Sequence, residues 1–201
     1  MPSRALLCIS CTAAFGRKSL YQRHFSQETL EFKGLKLHVI KSIEDAKALE
    51  GIEVGVSDWI VIDQQMINRF AEATGDFQWI HVDEDRAAKE LPNGKTIAHG
   101  YLTLSLIPTL TVDFVHVEKL ARAINFGCNK VRFYTMVPVG ARVRARATVM
   151  QARKRGGALH LLSEIKVEVE GERKPACIAE TLGMYFFEEQ SPEVEATART
   201  A

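Results

Sequence analysis

Apolar and polar residues alternate along much of the second half of the chain. Between positions 142 and 149, apolar side chains occupy the odd positions, and arginine or threonine occupies the even ones. Segment 164–170 repeats the pattern with glutamate or lysine on the even positions. A period of two predicts β-strands with one buried face. We predict four long strands, at 123–133, 142–152, 158–170 and 176–187, with a hairpin turn at Gly156-Gly157.

The first half of the chain carries helical signals instead. Apolar side chains recur on one helical face between residues 64 and 74, with Asp63 placed as the N-cap and Gly75 as the stop. The other elements predicted here are a strand or irregular arm at 30–40, short helices at 43–49 and 84–91, a short strand at 57–62, and a loop at 76–82.

One helix, predicted at 100–115, is apolar on nearly every side, and we therefore expect it to be enclosed, with a bend at Pro108. It belongs to an uncharged run, 96–112, which is shorter than the roughly 20 apolar residues of a membrane span. The order of elements predicts an α+β fold, in which an antiparallel sheet wraps around this long central helix.

The charged residues are unevenly distributed, although the whole chain of 201 residues has a net charge of only +1. Residues 1–27 hold four basic and no acidic side chains, whereas 188–201 hold four glutamates and one arginine. We therefore divide the chain into a basic leader (1–27), a neutral domain (28–187) and an acidic tail (188–201), which we expect to be disordered. The near-neutral total argues against nucleic-acid binding.

The leader has the composition of an organelle transit peptide, since it is rich in Arg and Ser and free of acids. Arg23-His24-Phe25-Ser26 resembles a mitochondrial processing site, which indicates a cleavage near Phe25. We therefore expect the mitochondrial matrix as the location, with the cytoplasm as the alternative if the leader is an ordinary extension.

The densest group of polar side chains lies between residues 75 and 83. Asp76 and His81 are five residues apart, among apolar Phe77, Trp79 and Ile80. A carboxylate and an imidazole that converge on one water molecule form a general acid/base pair. The spacing alone leaves a structural alternative open, in which Asp76 caps the next element and His81 is an interior histidine.

A second group, His99-Gly100, stands where the central helix begins. The first backbone N–H groups of a helix lack intrahelical acceptors, and glycine lets a ligand approach the backbone closely. The Gly100 N–H is therefore a candidate for holding a thioester or other carbonyl oxygen as negative charge develops on it. Alternatively, Gly100 only permits a tight turn into the helix.

Taken together, these motifs resemble the MaoC-like (R)-specific enoyl-thioester hydratases. The resemblance rests on the segment 70–83, which contains Gly75-Asp76, four residues and then His81, and on His99-Gly100 sixteen residues beyond Asp83. Segment 125–133 is similar to the strand after the central helix in one subgroup. One departure is Gln78-Trp79, where the family often has Asn-Pro, so Trp79 is expected to affect the acyl site.

The resemblance implies a hot-dog fold with an overhanging segment, homodimers that extend the sheet, and a defined reaction. Asp76 and His81 would hold and deprotonate a water that attacks a trans-2-enoyl thioester, and the same pair would return a proton to the α-carbon. The Gly100 N–H would stabilise the enolate oxygen. The reverse reaction dehydrates (R)-3-hydroxyacyl thioesters, as in fatty acid metabolism.

Substrate contacts are expected from further residues. The acyl thioester is carried on coenzyme A or on the phosphopantetheine arm of an acyl carrier protein, and neither is a resident cofactor. Basic side chains can bind such phosphates. The residues predicted to contact substrate are Trp79, His99, Asn125, Lys130 and Arg132, and segment 153–155 is a further candidate for phosphate.

No metal is expected, because Asp76, His81, Asp83 and His99 match no common metal-binding spacing. Two other functions stay open at this point. A thioesterase can use the same fold, and a non-catalytic protein can bind acyl thioesters with it.

Overall fold

The structure is a computed structural model that describes residues 37–188. The predicted leader, the first part of the arm and the tail from residue 189 lie outside the described residues. In chain order the elements are β1 (His38–Ile40), α1 (Ile43–Lys47), β2 (Glu53–Val56), β3 (Ile60–Val61), α2 (Gln64–Thr74), α3 (Trp79–Val82), α4 (Glu84–Glu90), α5 (Gly100–Ser105), α6 (Ile107–Thr111), β4 (Val115–Val117), β5 (Leu120–Phe133), β6 (Arg142–Arg155), β7 (Ala158–Val169) and β8 (Cys177–Phe187).

The four long strands belong to one antiparallel sheet, as the alternating pattern predicts. The strand order is β2-β6-β7-β8-β5, and β3 also pairs with β6. Gly156 and Gly157, both with positive φ, form the tight turn between β6 and β7, where Arg155 pairs with Ala158. Strands β1 and β4 form a separate parallel pair. Strand β1 comes just before the first helix and β4 just after the last one, so this pair joins the start and the end of the helical part of the chain.

The apolar face of the sheet packs against the helices. On β6 the odd-numbered residues from Val143 to Val149 are buried, and they share one core with Leu102 and Leu110 of the central helices. At about 25 cal/mol for each Å² of apolar surface removed from water, this contact is the main source of stability. The antiparallel sheet packed on central helices matches the predicted α+β hot-dog architecture.

The outer face of the sheet is polar and ion-paired. Arg142 pairs with Glu170, and Arg144 pairs with Glu168 at 2.7 Å. Arg146 contacts Glu168 at 3.2 Å and Glu53 at 2.7 Å. The arginines on the even positions of β6 therefore belong to a ladder on the outer face.

The central helix differs from the prediction, because it is two short helices that meet at Leu106. Pro108 occupies the first turn of α6 and has no N–H to donate to the carbonyl of Leu104, four residues before it. The ladder of helical hydrogen bonds is therefore interrupted here, while Leu106 itself keeps a right-handed helical backbone and still bonds to Leu102 and Leu110. The helical segment also ends at Thr111 and not at 115, because Val115–Val117 pairs with β1.

The expectation that this helical segment is fully enclosed is also wrong for the single chain. Leu102 and Ile107 are buried, but Tyr101 is 68% exposed and Val112 is 50% exposed. Tyr101 and Val112 are therefore open to solvent in the single chain.

Smaller differences concern the boundaries of short elements. Of the predicted strand at 57–62, only Ile60–Val61 is a strand (β3), and β2 (Glu53–Val56), which was not predicted, precedes it; both pair with β6. The predicted loop at 76–82 contains the single helical turn α3. Of the arm at 30–40, only His38–Ile40 is a described strand. No helix in the described part of the chain is long and apolar enough to cross a membrane.

Candidate active site

The candidate site is built where α2, α3 and α5 meet. Gly75 adopts a left-handed conformation (φ 77°) and ends α2, and its N–H is bonded to the carbonyl of Ala71. This turn redirects the chain into Asp76, and α3 follows within three residues. His99 is the N-cap residue of α5. The glycine stop and the two helix starts therefore bring Asp76, His81 and His99 to one place.

The ring of His81 is 7% exposed, and one of its nitrogens is already bonded. Its Nδ1 lies 2.7 Å from the carbonyl oxygen of Ile97. Because a carbonyl only accepts hydrogen bonds, Nδ1 must carry the proton that it donates. In the neutral ring Nε2 then has a free lone pair, which is the form that a general base requires.

The protonation of His81 is set mainly by its burial, which lowers its pKa from the usual 6.5. The hydrogen bond to Ile97 opposes this effect, because a donated proton is held more strongly. The nearby imidazole of His99 lowers the pKa further, whereas the carboxylate of Asp76 raises it. Since the net shift is downward, the imidazole is neutral at neutral pH.

His99 connects the two candidate catalytic residues. Its Nε2 donates to the backbone carbonyl of Asp76 at 2.9 Å. Its ring stacks on that of His81, with 3.8 Å between centroids and 26° between planes, and its other side packs against Phe70. Its Nδ1 is buried and has no hydrogen-bond partner in the described structure. His99 therefore holds the backbone at Asp76 and supports the ring of His81.

Asp76, His81 and His99 can act on a common water molecule, because one ligand-capable atom of each lies within 4.8 Å of the others. The carboxylate of Asp76 and the free Nε2 of His81 are both acceptors, whereas a water molecule has two protons to donate. A water that donates to both keeps its lone pairs free for attack on a carbon atom.

The backbone N–H of Gly100 is a hydrogen-bond donor next to the cluster of Asp76, His81 and His99. It is the first residue of α5, so its N–H has no acceptor within the helix. A Cβ on Gly100 would lie 3.1 Å from the ring of Phe133 at the end of β5. A side chain here would therefore crowd the ring of Phe133, whereas glycine avoids this contact and leaves the backbone accessible.

Comparisons with known proteins identify the family of the chain. A family model described as "MaoC like domain" matches residues 45–170. The chain is 47% identical to 3-hydroxyacyl-thioester dehydratase Z of Mycobacterium tuberculosis over 150 residues, which are 74% of this chain and 99% of that protein. The chain belongs to the MaoC-like dehydratase family. The family prediction from the sequence is thereby confirmed.

Solved structures show the same fold. The R-hydratase PhaJ1 of Pseudomonas aeruginosa aligns with a TM-score of 0.54 and 20% identity, covering 71% of this chain and 87% of that chain. The HadBC 3R-hydroxyacyl-ACP dehydratase complex of Mycobacterium tuberculosis aligns with a TM-score of 0.55 and 20% identity, covering 68% and 96%. The predicted hot-dog fold is confirmed.

Of the predicted substrate-contacting residues, only His99 joins the cluster of Asp76 and His81. The ring of Trp79 packs under the guanidinium of Arg86 at 4.1 Å. Lys130 pairs with Glu180 at 2.6 Å, and this hydrogen bond raises its pKa.

The two remaining candidates, Asn125 and Arg132, lie on β5. Arg132 donates to the carbonyl of its neighbour Val131 at 2.8 Å. Asn125 is exposed and pairs with Gly183 of β8. Any contact of either residue with substrate stays a prediction.

Asp76, His81 and His99 could also be grouped around a metal ion, since one possible ligand atom of each lies within 4.8 Å of the others, and the absence of a metal stays a prediction. Nδ1 of His81 and Nε2 of His99 are both engaged by carbonyl oxygens. Asp83 is occupied in capping α4, where it accepts from the N–H of Arg86.

Sequence reasoning missed the carbonyl of Ile97, which selects the His81 tautomer, and Phe133, which packs on Gly100. Every residue has a backbone carbonyl, so no residue type marks Ile97. Phe133 was predicted to be in a strand, but only the fold shows that this strand ends beside α5.

We expect a titration of the histidines by NMR to show the protonation of His81 directly. Its ring should carry the proton on Nδ1 and should titrate with a midpoint below 6.5, because burial disfavours the charged form. The unfolded chain binds this proton more readily than the folded chain does. Protonation of His81 should therefore lower the free energy of unfolding as the pH falls below 6.5. A proton on Nε2, or a midpoint above 6.5, would contradict the assignment.

Proposed function

We propose that this MaoC-like protein catalyses the (R)-specific hydration of trans-2-enoyl thioesters and the reverse dehydration of (R)-3-hydroxyacyl thioesters. The observation that carries the proposal is the placement of Asp76 and the unprotonated Nε2 of His81 within one cluster, next to the start of α5. The name of the 47% identical relative, a 3-hydroxyacyl-thioester dehydratase, supports the same reaction. The activity is that of a hydro-lyase in fatty acid metabolism.

Hydration begins with a water held between Asp76 and His81. Nε2 of His81 accepts one proton as the water oxygen bonds to the β-carbon, and the electron pair of the double bond moves toward the thioester carbonyl. The N–H of Gly100 donates to the oxygen that becomes negative. The enolate then collapses as its α-carbon takes a proton from the Asp76/His81 pair. The balance is one water added across one double bond.

The substrate itself supplies the only carrier group in this proposal. The acyl chain arrives as a thioester of coenzyme A or of the phosphopantetheine arm of a carrier protein, and no resident cofactor takes part. Proton transfer by His81 and Asp76 with a hydrogen bond from Gly100 accounts for every step. Comparing initial rates on the two kinds of thioester distinguishes the carriers.

Replacing either acid/base group should remove most of the activity toward crotonyl-CoA. We expect Asp76→Asn and His81→Gln each to lower kcat/KM by about 10²- to 10⁴-fold, because each removes a proton acceptor of the water. The decrease in enoyl absorbance gives the rate, and chiral analysis should identify (R)-3-hydroxybutyryl-CoA as the product.

Two matched variants control for the removal of a charge or a ring. Glu72→Gln removes an exposed carboxylate from α2, and His160→Gln removes an imidazole that contacts Phe126 on the outer face of the sheet. Both should retain wild-type rates.

Full activity of Asp76→Asn and His81→Gln would contradict the mechanism. Release of free thiol without hydration would assign a thioesterase. Binding of crotonyl-CoA without turnover would assign a non-catalytic binder.

We further propose that two copies of the chain form a homodimer through β5. Within residues 37–188 this strand pairs on one side only, with β8. Its exposed apolar side chains include Phe126 (61%) and Ile124 (45%). A long unpaired edge with exposed aromatic residues favours pairing with another strand. The HadBC complex, whose fold is similar, is itself an assembly of different chains, so a related partner chain is the competing outcome.

A charged side chain on the unpaired edge of β5 should prevent the two copies of the chain from forming the dimer. We expect the wild-type protein to have twice the mass of one chain by light scattering, and Phe126→Lys to have the mass of one chain. Met150→Lys is the matched control, since Met150 is 46% exposed but lies on β6 within the sheet. A wild-type protein with the mass of one chain, or an unchanged mass for Phe126→Lys, would contradict the dimer.

The mitochondrial matrix is the proposed location. The support is the composition of residues 1–27, which lie outside the described residues and contain basic but no acidic side chains. Imaging of the tagged full-length chain beside a chain of residues 28–201 tests the proposal. Mitochondrial signal that depends on the leader is expected, and cytoplasmic signal from both would contradict it.

A further inference from the structure

Helix α3, which carries His81, has few stabilising hydrogen bonds of its own. Helix α3 is a single turn of four residues, Trp79–Val82, and its N-cap, Gln78, makes no side-chain capping bond. A helix this short is not stable by itself, and the carbonyls of its last turn have no intrahelical donors. The position of His81 must therefore be determined by bonds from other segments.

The side chain of Gln64, the first residue of α2, provides one of these bonds. Its Nε2 donates to the backbone carbonyl of His81 at 2.8 Å and to Oδ1 of Asn68 at 2.9 Å. Its Oε1 accepts from the hydroxyl of Thr96 at 2.5 Å. The orientation of the amide is defined by these partners, because a carbonyl can only accept and the Thr96 hydroxyl supplies a proton to Oε1.

Thr96 connects the same amide to the segment that selects the tautomer of His81. It is 1% exposed, and the next residue, Ile97, donates its N–H to the carbonyl of Ile80 at 3.0 Å. The carbonyl of Ile97 in turn accepts from Nδ1 of His81. Gln64 thus bonds to the backbone of His81 and also to Thr96, whose neighbour Ile97 accepts the hydrogen bond from the ring of His81.

We infer that Gln64 is a positioning residue for the proposed hydratase reaction: its amide fixes the backbone at His81 against Thr96 and thereby aims Nε2 at the water beside Asp76. The inference rests on the proposed function. Gln64 acts through the position of His81 and has no contact of its own with the reacting atoms in this mechanism.

Removing the amide should lower turnover more than substrate affinity. Gln64→Met keeps the side-chain length but makes none of the three bonds, and we expect kcat to fall by about 10- to 100-fold with a smaller change in KM, since misplacement of a catalytic group affects mainly the transition state. Thr96→Val removes only the hydroxyl that orients the amide and should give a smaller loss. Gln65→Met, on the adjacent exposed residue, should match the wild type.

A charged replacement separates positioning from general destabilisation. In Gln64→Glu the carboxylate cannot donate to the carbonyl of His81, and its negative charge should raise the pKa of that imidazole. The acidic limb of the pH profile of kcat/KM should therefore move to higher pH in Gln64→Glu. Thermal unfolding of each variant shows whether it is folded, and Thr96→Val serves as the test if Gln64→Met does not fold.

The outcomes also separate this inference from the proposed function. Wild-type kcat for Gln64→Met, or an unmoved acidic limb for Gln64→Glu, would overturn the role of Gln64 while the hydratase activity stands. If the wild-type protein hydrates no enoyl thioester, the proposed function fails. The NMR signal of His81 then decides the positioning claim, which requires the Nδ1–H resonance to shift in Gln64→Met but not in Gln65→Met.

Discussion

The hydrogen bond from Nδ1 of His81 to the carbonyl of Ile97 is the contact on which the chemistry of this site depends. It decides which ring nitrogen carries the proton, and burial then keeps the other nitrogen as a neutral base. Without this bond, a histidine next to Asp76 could present either nitrogen to the water. The rest of the site keeps this one arrangement in place, since His99 stacks on the ring and holds the backbone of Asp76.

Two of the three helices that build the site are too short to be stable alone. Helix α3 is one turn, and α5 has six residues and ends where Pro108 interrupts the ladder of hydrogen bonds. The long strands provide the rigid part, because β6, β7 and β8 bury their apolar face in one core with residues of α5 and α6. Phe133, at the end of β5, packs directly on Gly100 and so connects sheet and site.

The strands could be predicted from the sequence because local alternation determines them, whereas the candidate acid/base pair was indicated by the family resemblance of its motif. Alternation along β6 defines its buried face, and the motif around Asp76 and His81 is contiguous. The supporting bonds could not be predicted. Gln64 and Thr96 are separated by 32 positions, and the decisive acceptor at Ile97 is a backbone carbonyl. The interruption of the helical ladder at Pro108 was anticipated as a bend, because a proline shows that a helix is disturbed but not how far.

The central claim is that one water, held by Asp76 and His81, supplies the hydroxyl group at the β-carbon. The same two residues deliver the proton to the α-carbon. Hydration of crotonyl-CoA in D₂O tests this claim most directly, by determining the configuration of the product at both carbons. Because the two acid/base groups lie within one cluster, deuterium and hydroxyl should add to the same face of the double bond. Addition to opposite faces would require a second proton donor on the other side of the substrate and would contradict the account.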